Sequence, residues 1–381
     1  MRLLWHSHSP AAPTGYGTPT ALWLPVLRDM GHEVTCSAFQ GHPAGVTSYE
    51  GIPVLDSDDG RFGATRLRDI AATVRPDVIV TLMDIWALPP GVIDSLRIPA
   101  VNWIPVDTSP LSVLDERHFR RSRAFPVAMS EHGGRMLAQA GFGGAAIPYA
   151  YDPAVFHPGD REAARRDAGL DGVFAVGINA APVERKAWPE QLEAYARLWR
   201  EHPGDVILTA RTTRDGPIPG ILRTLGLPPE AIRWTGGTGQ TELASWYRAL
   251  DVLSACSYAE GFCLPVLEAQ ACGTPVITTD APPVSTEAGL PGRHVTCEPM
   301  WSPVHNAWWH RSSVTAIHEA LEAAYADSDR TAASAAAGAH ARKYAVSEIA
   351  PRWAALLEER AAAGCTAFTF QLRQKGPPRL A

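Results

Sequence analysis

Residues 257–277 read SYAEGFCLPVLEAQACGTPVI, and this stretch decides the fold. An apolar strand, residues 252–255, leads into it through a glycine-containing loop. Pro265 suits the first position of a helix, where its missing N–H costs nothing, and Gly273 suits the left-handed end of that helix. The next strand begins at Pro275. The stretch therefore predicts a strand, a loop, a helix and a second strand, the repeating unit of α/β folds.

The start of this helix predicts an anion-binding site. Because the first N–H groups of a helix have no partner within it, those around residues 262–266 are available to a diphosphate. Glu260 and Glu268 flank the position, eight residues apart. A carboxylate repels phosphate, so we expect both to accept hydrogen bonds from hydroxyls, Glu268 from a ribose and Glu260 from a transferred sugar. The alternative is that the two acids only complement the helix dipole.

The chain as a whole has the composition of an ordinary globular protein. Its 381 residues are enough for two domains. Hydrophobic residues make up 46% and charged residues 19%, which excludes a disordered chain. The net charge of −6 argues against a broad nucleic-acid-binding surface, although it leaves a local basic cleft open.

The sequence lacks the marks of a membrane or secreted protein. No run approaches the roughly 18 apolar residues of a membrane span. Residues 1–6 turn polar too early for a signal peptide. The six cysteines are scattered without a C-x-x-C pair, which favours reduced thiols over a zinc site or a disulfide framework. We therefore expect a cytoplasmic protein with no transmembrane segment.

Short apolar strands alternate with amphipathic helices along the chain, which predicts parallel βαβ units. The alternation pauses at residues 147–153, a proline- and tyrosine-rich stretch typical of a domain junction, and then restarts. We expect an α/β protein with two doubly wound, Rossmann-like halves, each with its site at the carboxyl ends of its strands. The expected divisions are residues 1–155, residues 156–345, a C-terminal helix at 346–365 and a loosely held tail at 366–381.

Residues 257–277 resemble the glutamate–seven–glutamate motif of retaining glycosyltransferases with the GT-B fold, specifically family four, the glycosyltransferases group 1. The resemblance covers about residues 1–345 and is strongest over 231–280. It implies two facing Rossmann-like domains with a central cleft, and a C-terminal helix that packs back on the first domain. It also implies a nucleotide-diphosphate-sugar donor held mainly by the second domain, with no metal and no cofactor.

Two adjacent cations, Arg185 and Lys186, stand at a predicted strand-to-helix junction, a good position for binding phosphates. The resemblance implies that an Arg/Lys pair in this region stabilises the leaving diphosphate. The spacing differs from the usual one, because Asn179 occupies the place of the arginine. Cys263 likewise stands where the family usually has glycine, which predicts a less close approach of the backbone to the diphosphate. A solvated basic turn is the alternative for the two cations.

The resemblance assigns three groups of site residues. The catalytic group is Asp107, Arg185, Lys186 and Glu260. The donor-binding group is Gly15, Gly17, Asn179, Thr235, Gly236, Gly261, Phe262, Cys263, Leu264 and Glu268, and Tyr16 lies on the acceptor side. Asp107 takes the place of a common family histidine, where its carboxylate could orient a hydroxyl or accept the acceptor's proton. Plain turns remain the alternative for the glycines at positions 15, 17 and 236, and a cap for Asp107.

Several other polar or aromatic patterns are assigned structural roles. His6 and His8 read as ordinary strand or strand-end histidines, and His118 and His132 as structural. The DxD pattern at residues 56–58 reads as a surface loop and not as a cation site. Residues 301–311 place three tryptophans in a polar loop, where packing is favoured over stacking on sugar rings or bases.

The sequence therefore predicts a retaining glycosyltransferase that moves a hexosyl or related sugar to a hydroxyl acceptor. One alternative is another enzyme of the same fold, a sugar-nucleotide epimerase or, less favoured, a phosphorylase. The other is a module that binds nucleotide-sugars without turnover. The sugar, the base and the acceptor stay open. A modified nucleic acid is among the possible acceptors, whereas a lipid is disfavoured because no basic amphipathic stretch is evident.

Overall fold

Two separate parallel sheets organise the chain. The computed structural model describes residues 1–43, 46–212, 216–237, 239–327 and 330–364, so Cys365 and the expected tail at 366–381 lie outside the described residues. Unit 1 comprises Met1–Ile147, His305–Ala307 and the described part of Ala350–Ala381, and unit 2 comprises Pro148–Val304 and Trp308–Ile349. The division thus falls before Pro148, earlier than the boundary expected after residue 155.

Unit 1 contains an eight-stranded sheet in the order β3-β4-β2-β1-β5-β6-β7-β8. All neighbouring strands are parallel except β3 and β4. The strands are β1 (Arg2–Ser7), β2 (Glu33–Ala38), β3 (Ser48–Tyr49), β4 (Ile52–Asp56), β5 (Val78–Leu82), β6 (Ala100–Ile104), β7 (Phe125–Ala128) and β8 (Ala145–Ala146). The helices are α1 (Gly17–Asp29), α2 (Leu67–Val74), α3 (Pro90–Leu96), α4 (Val113–Phe119) and α5 (Glu131–Gln139). The central strands are continuous apolar runs because helices cover both faces of such a sheet.

Four tryptophans form the core of unit 1. Trp5, Trp23, Trp103 and Trp353 are fully buried. The rings of Trp103 and Trp353 meet edge to face with their centroids 5.2 Å apart. Trp353 belongs to the last helix, so the aromatic packing ties the end of the described chain to unit 1.

Unit 2 contains a six-stranded parallel sheet in the order β11-β10-β9-β12-β13-β14. Its strands are β9 (Phe174–Asn179), β10 (Val206–Arg211), β11 (Ile232–Trp234), β12 (Val252–Ala255), β13 (Val276–Thr279) and β14 (Arg293–Val295). The helices are α6 (Arg161–Ala168), α7 (Trp188–Glu201), α8 (Ile218–Leu225), α9 (Gln240–Ala249) and α10 (Leu264–Ala271), followed by α11 (Val314–Tyr325) and α12 (Arg330–Ala341). The last helix, α13 (Val346–Ala363), starts in unit 2, and its residues from Ala350 onward belong to unit 1. The strand order reverses between β9 and β12, which makes the carboxyl ends of these two strands the natural ligand site.

The tryptophan-rich stretch at 301–311 is a β-hairpin, and the prediction of a loop there was wrong. Strands β15 (Cys297–Ser302) and β16 (Ala307–Ser312) pair with each other. Trp309 points inward and packs with Tyr258 and Ala187, whereas Trp301 and Trp308 are 46% and 44% exposed. The predicted packing role therefore holds for Trp309, while the other two tryptophans lie at the surface.

Among the residues that the structure describes, no helix is both long enough and apolar enough to cross a membrane.

Candidate functional site

Two cations converge on one buried carboxylate at the carboxyl ends of β9 and β12. Lys186 Nζ contacts Glu260 Oε1, and Arg185 Nη1 lies 2.9 Å from Glu260 Oε2. Glu260 and Lys186 are buried, whereas Arg185 is partly exposed. Arg185, Lys186 and Glu260, which were predicted to be catalytic, therefore contact one another. Lys186 and Glu260 are 74 positions apart in the sequence.

The two cations keep Glu260 ionised. Burial by itself would raise the pKa of the Glu260 carboxyl, but Lys186 and Arg185 outweigh this effect and lower the pKa to about 2. Glu260 is therefore an acceptor-only carboxylate near neutral pH. It can accept hydrogen bonds from hydroxyl groups while it positions both cations.

The loop after β9 is held in place by bonds to the loop after β12. The backbone N–H of Tyr258 donates to Arg185 O over 2.8 Å. The side chain of Gln191 donates to Lys186 O over 2.8 Å and accepts from the Ser254 hydroxyl over 2.7 Å. Arg185 and Lys186 belong to a short 3-10 turn, Glu184–Lys186, which lies between β9 and α7 at the predicted strand-to-helix junction. The turn aims both cations at Glu260.

A hydrogen-bonded chain connects two more predicted residues through one that the sequence analysis missed. Asn179 Nδ2 donates to the Tyr247 hydroxyl over 2.8 Å, and that hydroxyl donates to Glu268 Oε2 over 2.9 Å. Burial raises the pKa of Glu268 to about 8. Tyr247 comes from α9, and its only sequence signal is an aromatic residue on the buried face of an amphipathic helix.

The first turn of α10 begins at a left-handed residue. Cys263 has φ +81° and ψ 72° and is the N-cap, so Leu264 is the first helical residue and Pro265 the second, one position later than predicted. The N–H groups of Val266 and Leu267 bond back to Cys263 O. Val266 N–H, which was expected to be available, is therefore used within the helix, and Pro265 has no N–H group. Helix geometry leaves the N–H group of Leu264 for a ligand in this turn, and the anion site stays a prediction. Gly261 and Phe262 lie in the preceding loop, and Phe262 is buried.

The loop that begins at Thr235 is fixed by an arginine that the sequence analysis also missed. Arg211, the last residue of β10, donates to Gly236 O over 3.0 Å and also to Gly237 O. Its guanidinium lies over the Trp246 ring, 5.9 Å from the ring centroid. Arg211 also lowers the pKa of Glu268, against the larger effect of burial. The sequence signal that could have revealed Arg211 is a cation at the carboxyl end of a strand, here the strand next to β9, where the strand order reverses.

The glycine-containing loop of unit 1 joins β1 to α1. A Cβ atom on Gly17 would lie 2.0 Å from Ala12 O, so this position requires glycine for packing. A Cβ atom on Gly15 would meet nothing within 4 Å. His8 Nδ1 hydrogen-bonds to the Thr14 hydroxyl over 2.7 Å, and its ring packs edge to face against Tyr16. The loop is thus an ordered turn in which Gly17 has a structural role.

Asp107 belongs to an acidic group in unit 1. It follows β6, and Asp84 follows the neighbouring strand β5. Burial raises the pKa of Asp115 to about 7, and the negative charges of Asp107 and Asp84 add to this increase. His118, on the same helix as Asp115, has a pKa lowered to about 4 by burial. The carboxylates therefore lie close enough to interact.

His6 and His132, the other histidines considered in the sequence analysis, are buried within unit 1. His6 is fully buried, with Nδ1 2.9 Å from the Ser37 hydroxyl and Nε2 3.0 Å from Phe62 O. Burial lowers its pKa to about 4, so it is neutral near pH 7. His132 is buried in the first turn of α5.

Among the described residues, the DxD pattern and one further group of possible metal ligands both lie outside the candidate site. In the DxD pattern, Asp56 pairs with Arg66 over 3.3 Å and accepts from the backbone N–H of Asp58, as in a surface turn. Elsewhere, donor atoms of Glu201, His318 and Glu322 lie within 4.8 Å of one another on α7 and α11. Glu201 ends α7, whereas the candidate site precedes the start of α7.

Part of unit 2 matches a known protein family. The family model described as glycosyl transferases group 1 matches residues 173–299. The D-inositol 3-phosphate glycosyltransferase of Pseudarthrobacter chlorophenolicus is 39% identical over 140 residues, 35% of this chain and 33% of that protein. The enzyme of that name from Mycobacterium bovis is 36% identical over 163 residues, 38% of this chain and 31% of that protein. The chain thus spans about a third of the length of these curated relatives.

Solved structures match nearly the whole chain. Sucrose-phosphate synthase from Thermosynechococcus elongatus superposes with a TM-score of 0.73 at 17% identity, covering 95% of this chain and 99% of that one. Anabaena Alr3699/HepE in complex with UDP-glucose has a TM-score of 0.73 at 20% identity, covering 94% of this chain and all of that one. The prediction of fold and family is confirmed: the chain has the GT-B fold and carries a glycosyl transferases group 1 domain at residues 173–299.

Proposed function

We propose that this protein is a retaining glycosyltransferase that moves a hexosyl or related sugar from a nucleoside-diphosphate-sugar to a hydroxyl acceptor. The observation that carries the proposal is the meeting of Lys186 and Arg185 with Glu260 beside the start of α10. Cations and helix N–H groups bind a diphosphate, and a carboxylate that is ionised near neutral pH binds sugar hydroxyls. Both halves of a sugar–diphosphate donor therefore have suitable partners.

The proposed chemistry needs no nucleophile from the protein. As the bond between the sugar and the diphosphate breaks, negative charge develops on the diphosphate oxygen. Lys186, Arg185 and the first turn of α10 stabilise that charge in a largely buried site. The acceptor hydroxyl approaches from the face that the diphosphate leaves, gives its proton to the diphosphate oxygen and forms the new glycosidic bond. The two cations supply the positive charge, so the proposal includes no metal ion.

We assign the ribose of the donor to Glu268 and the transferred sugar to Glu260. The Tyr247 hydroxyl already occupies Glu268 Oε2, which leaves Oε1 to form a hydrogen bond with a ribose hydroxyl. UDP-sugars are the first donors to test, because the HepE structures contain UDP-glucose or UDP. The curated relatives are named for inositol 3-phosphate, but they align with about a third of this chain, so the proposal specifies the acceptor only as a hydroxyl compound.

The test begins with thermal unfolding in the presence of UDP-, GDP-, ADP- and TDP-sugars without added metal. A ligand at 100 times its Kd adds about 2.7 kcal/mol to the free energy of unfolding. One nucleotide series should raise the melting temperature, and Lys186→Ala or Glu268→Ala should abolish the increase. Arg197→Ala, which changes a partly exposed cation on α7, is the matched control and should keep it. No shift with any donor, with or without Mg²⁺, contradicts the assignment.

Turnover is tested separately from binding. The donor that binds is incubated with the protein, and sugar release or transfer is followed by NMR, which also reports the anomeric configuration of the product. An unchanged configuration supports retention, and an inverted one excludes it. Binding without release or transfer favours the alternative, a module without turnover. Asn179 motivates that alternative, because it stands in place of the family arginine and donates to Tyr247.

A cytoplasmic location is part of the proposal. Five cysteines lie within the described residues, and all are free thiols, four of them buried. Reduced thiols are typical of cytosolic proteins. Fractionation of cells that express the full chain, followed by immunoblotting, tests the location.

A further inference from the structure

In unit 2, the end of helix α7 packs beside helix α11. Ile317 and Leu321 of α11 are buried in the same apolar cluster as Leu198 of α7. Three side-chain contacts advance along both helices together: Arg197 with Thr315, Glu201 with His318, and His202 with Glu322. The two helices therefore run parallel, with a row of polar partners beside their apolar interface.

Three of these polar residues bring donor atoms together. His318 and Glu322 are four positions apart on α11, so both lie on one face of the helix. His318 Nε2 lies 2.8 Å from Glu201 Oε2 and 3.7 Å from Glu322 Oε1, and donor atoms of all three residues lie within 4.8 Å of one another. A tetrahedral zinc ion with bonds of about 2.0–2.2 Å separates its ligand atoms by roughly 3.4 Å. The two observed distances bracket that value, so small side-chain rotations would accommodate the ion.

A second histidine fixes the position of Glu322. His202 Nε2 lies 2.9 Å from Glu322 Oε1 and 3.1 Å from Oε2. The His202 ring packs against Tyr325 with the ring centroids 4.1 Å apart. Carboxylates that bind metals are themselves held by hydrogen bonds from residues outside the coordination sphere. Glu322 Oε2 can therefore stay on His202 while Oε1 binds an ion that Glu201 and His318 share.

The charges of this group favour a dication. Glu201 and Glu322 contribute two carboxylates, and their ion-pair partners among the described residues are histidines. A histidine balances a carboxylate only when it is protonated, whereas a divalent metal brings two positive charges and uses the neutral imidazole as a ligand. The Glu201 side chain is 52% exposed, so an ion in solution can reach the group.

We propose that Glu201, His318 and Glu322 bind a zinc ion that cross-links α7 to α11, and that His202 positions Glu322 for it. One imidazole and two carboxylates favour zinc over Mg²⁺, which prefers six oxygen ligands. Three protein ligands leave the fourth position of the tetrahedron to water. The 14 residues of α7 span about 21 Å and separate this site from Lys186, so the ion stabilises unit 2 and takes no part in the proposed sugar transfer.

Isothermal titration calorimetry of the untagged, chelator-treated full chain with Zn²⁺ and with Mg²⁺ tests the proposal. One Zn²⁺ should bind per chain, and Mg²⁺ should bind at least about tenfold more weakly. His318→Gln can still donate to Glu201 but lacks the imidazole, so it should weaken Zn²⁺ binding more than His202→Phe. His202→Phe keeps a ring beside Tyr325 and should weaken binding by about 10–100-fold, the cost of losing a partner outside the coordination sphere. His157→Gln changes an exposed histidine elsewhere in unit 2 and should bind Zn²⁺ like the wild type.

Thermal unfolding gives a second readout, because an ion that binds the folded state raises the melting temperature. Zn²⁺ should raise it in the wild type and in His157→Gln, and the increase should disappear in His318→Gln. No binding of Zn²⁺, equal affinities for Zn²⁺ and Mg²⁺, or unchanged binding in His318→Gln overturns the proposal. An equal loss of binding in His157→Gln also overturns it. If His318→Gln fails to fold, Glu322→Gln decides, because that side chain is 31% exposed and the amide can still accept from His202.

Discussion

The Tyr247 hydroxyl lies 2.9 Å from Glu268 Oε2 and donates a hydrogen bond to it, and both side chains are buried. The same hydroxyl accepts from Asn179 Nδ2 over 2.8 Å, so it is used as donor and acceptor. Tyr247 therefore fixes the rotamer of the glutamate to which we assign the ribose. The second glutamate of the motif depends on a residue 21 positions earlier in the chain.

Replacing this hydroxyl should destabilise the protein and weaken donor binding together. Tyr247→Phe leaves Glu268 Oε2 and Asn179 Nδ2 without their partner, which should lower the free energy of unfolding by about 1–3 kcal/mol in urea denaturation. Tyr325→Phe is the matched control, since its hydroxyl makes only a 3.5 Å contact with Asp205, and it should stay within about 0.5 kcal/mol of wild type. Equal stabilities for the two variants would contradict the structural role of Tyr247.

The raised pKa of Glu268 should appear in the pH dependence of stability. Burial raises this pKa from its ordinary 4.5 to about 8, so between these values the folded state holds a proton that the unfolded state has released. The contribution of Glu268 is complete below about pH 4.5 and is lost as the pH rises through about 8. Glu268→Gln should therefore flatten the decline of unfolding free energy over that window.

Urea denaturation at several pH values measures this effect. Glu193→Gln changes a partly exposed glutamate on α7 and should parallel the wild type. If Glu268→Gln also declines in parallel with the wild type, Glu268 is ionised in the folded state near neutral pH and the pKa assignment is wrong.

Local signals in the sequence account for the elements that were predicted well. Helix α10, Leu264–Ala271, starts one residue before the predicted start at Pro265, because Pro265 and Gly273 mark its ends closely. The alternation of strands and helices was predicted because the central strands of both sheets are continuous apolar runs. Strand β4, Ile52–Asp56, was missed because it contains Pro53, alternates in burial and depends on pairing with β2. Helix α3, Pro90–Leu96, is too short to show a helical period.

The sequence predicted those residues of the candidate site that are charged and that also follow a strand at a strand-to-helix junction. Glu260, Lys186 and Arg185 are charged residues at strand-to-helix junctions, and the structure brings them together. Tyr247 and Arg211 escaped notice because their contacts join elements far apart in sequence. When only its own helix or strand is considered, each residue has an ordinary structural explanation: Tyr247 would pack in the core, and Arg211 would be solvated.

Glycine usually destabilises a helix relative to alanine. Because the backbone at Cys263 is left-handed, we expect the opposite order of stability for glycine and alanine variants at this position. Both Cys263→Gly and Cys263→Ala remove the buried thiol, but only alanine keeps a side chain at φ +81°. A left-handed conformation costs a residue with a Cβ atom about 1–2 kcal/mol. Cys263→Gly should therefore be more stable than Cys263→Ala by about 1 kcal/mol, measured by urea denaturation.

A helix interior provides the control for this reversal. Ala323 is exposed within α11, and Ala323→Gly should cost about 1 kcal/mol, the ordinary penalty for glycine. A Cys263→Gly variant that is less stable than Cys263→Ala would mean that the residue does not hold this conformation in solution.

The ion pair between Lys186 and Glu260 should contribute most to the free energy of unfolding near neutral pH. Lys186→Met leaves the buried Glu260 carboxylate with Arg185 alone, which should cost about 3 kcal/mol of unfolding free energy. Because Glu260 has a lowered pKa, its contribution is present above the ordinary 4.5 and is lost as the pH falls toward about 2. The cost of Lys186→Met should therefore shrink over that window. The double variant Lys186→Met/Glu260→Gln should cost less than the sum of the two single variants, because each single change already removes the contact between the two side chains, whereas additive costs at neutral pH would show that they do not interact.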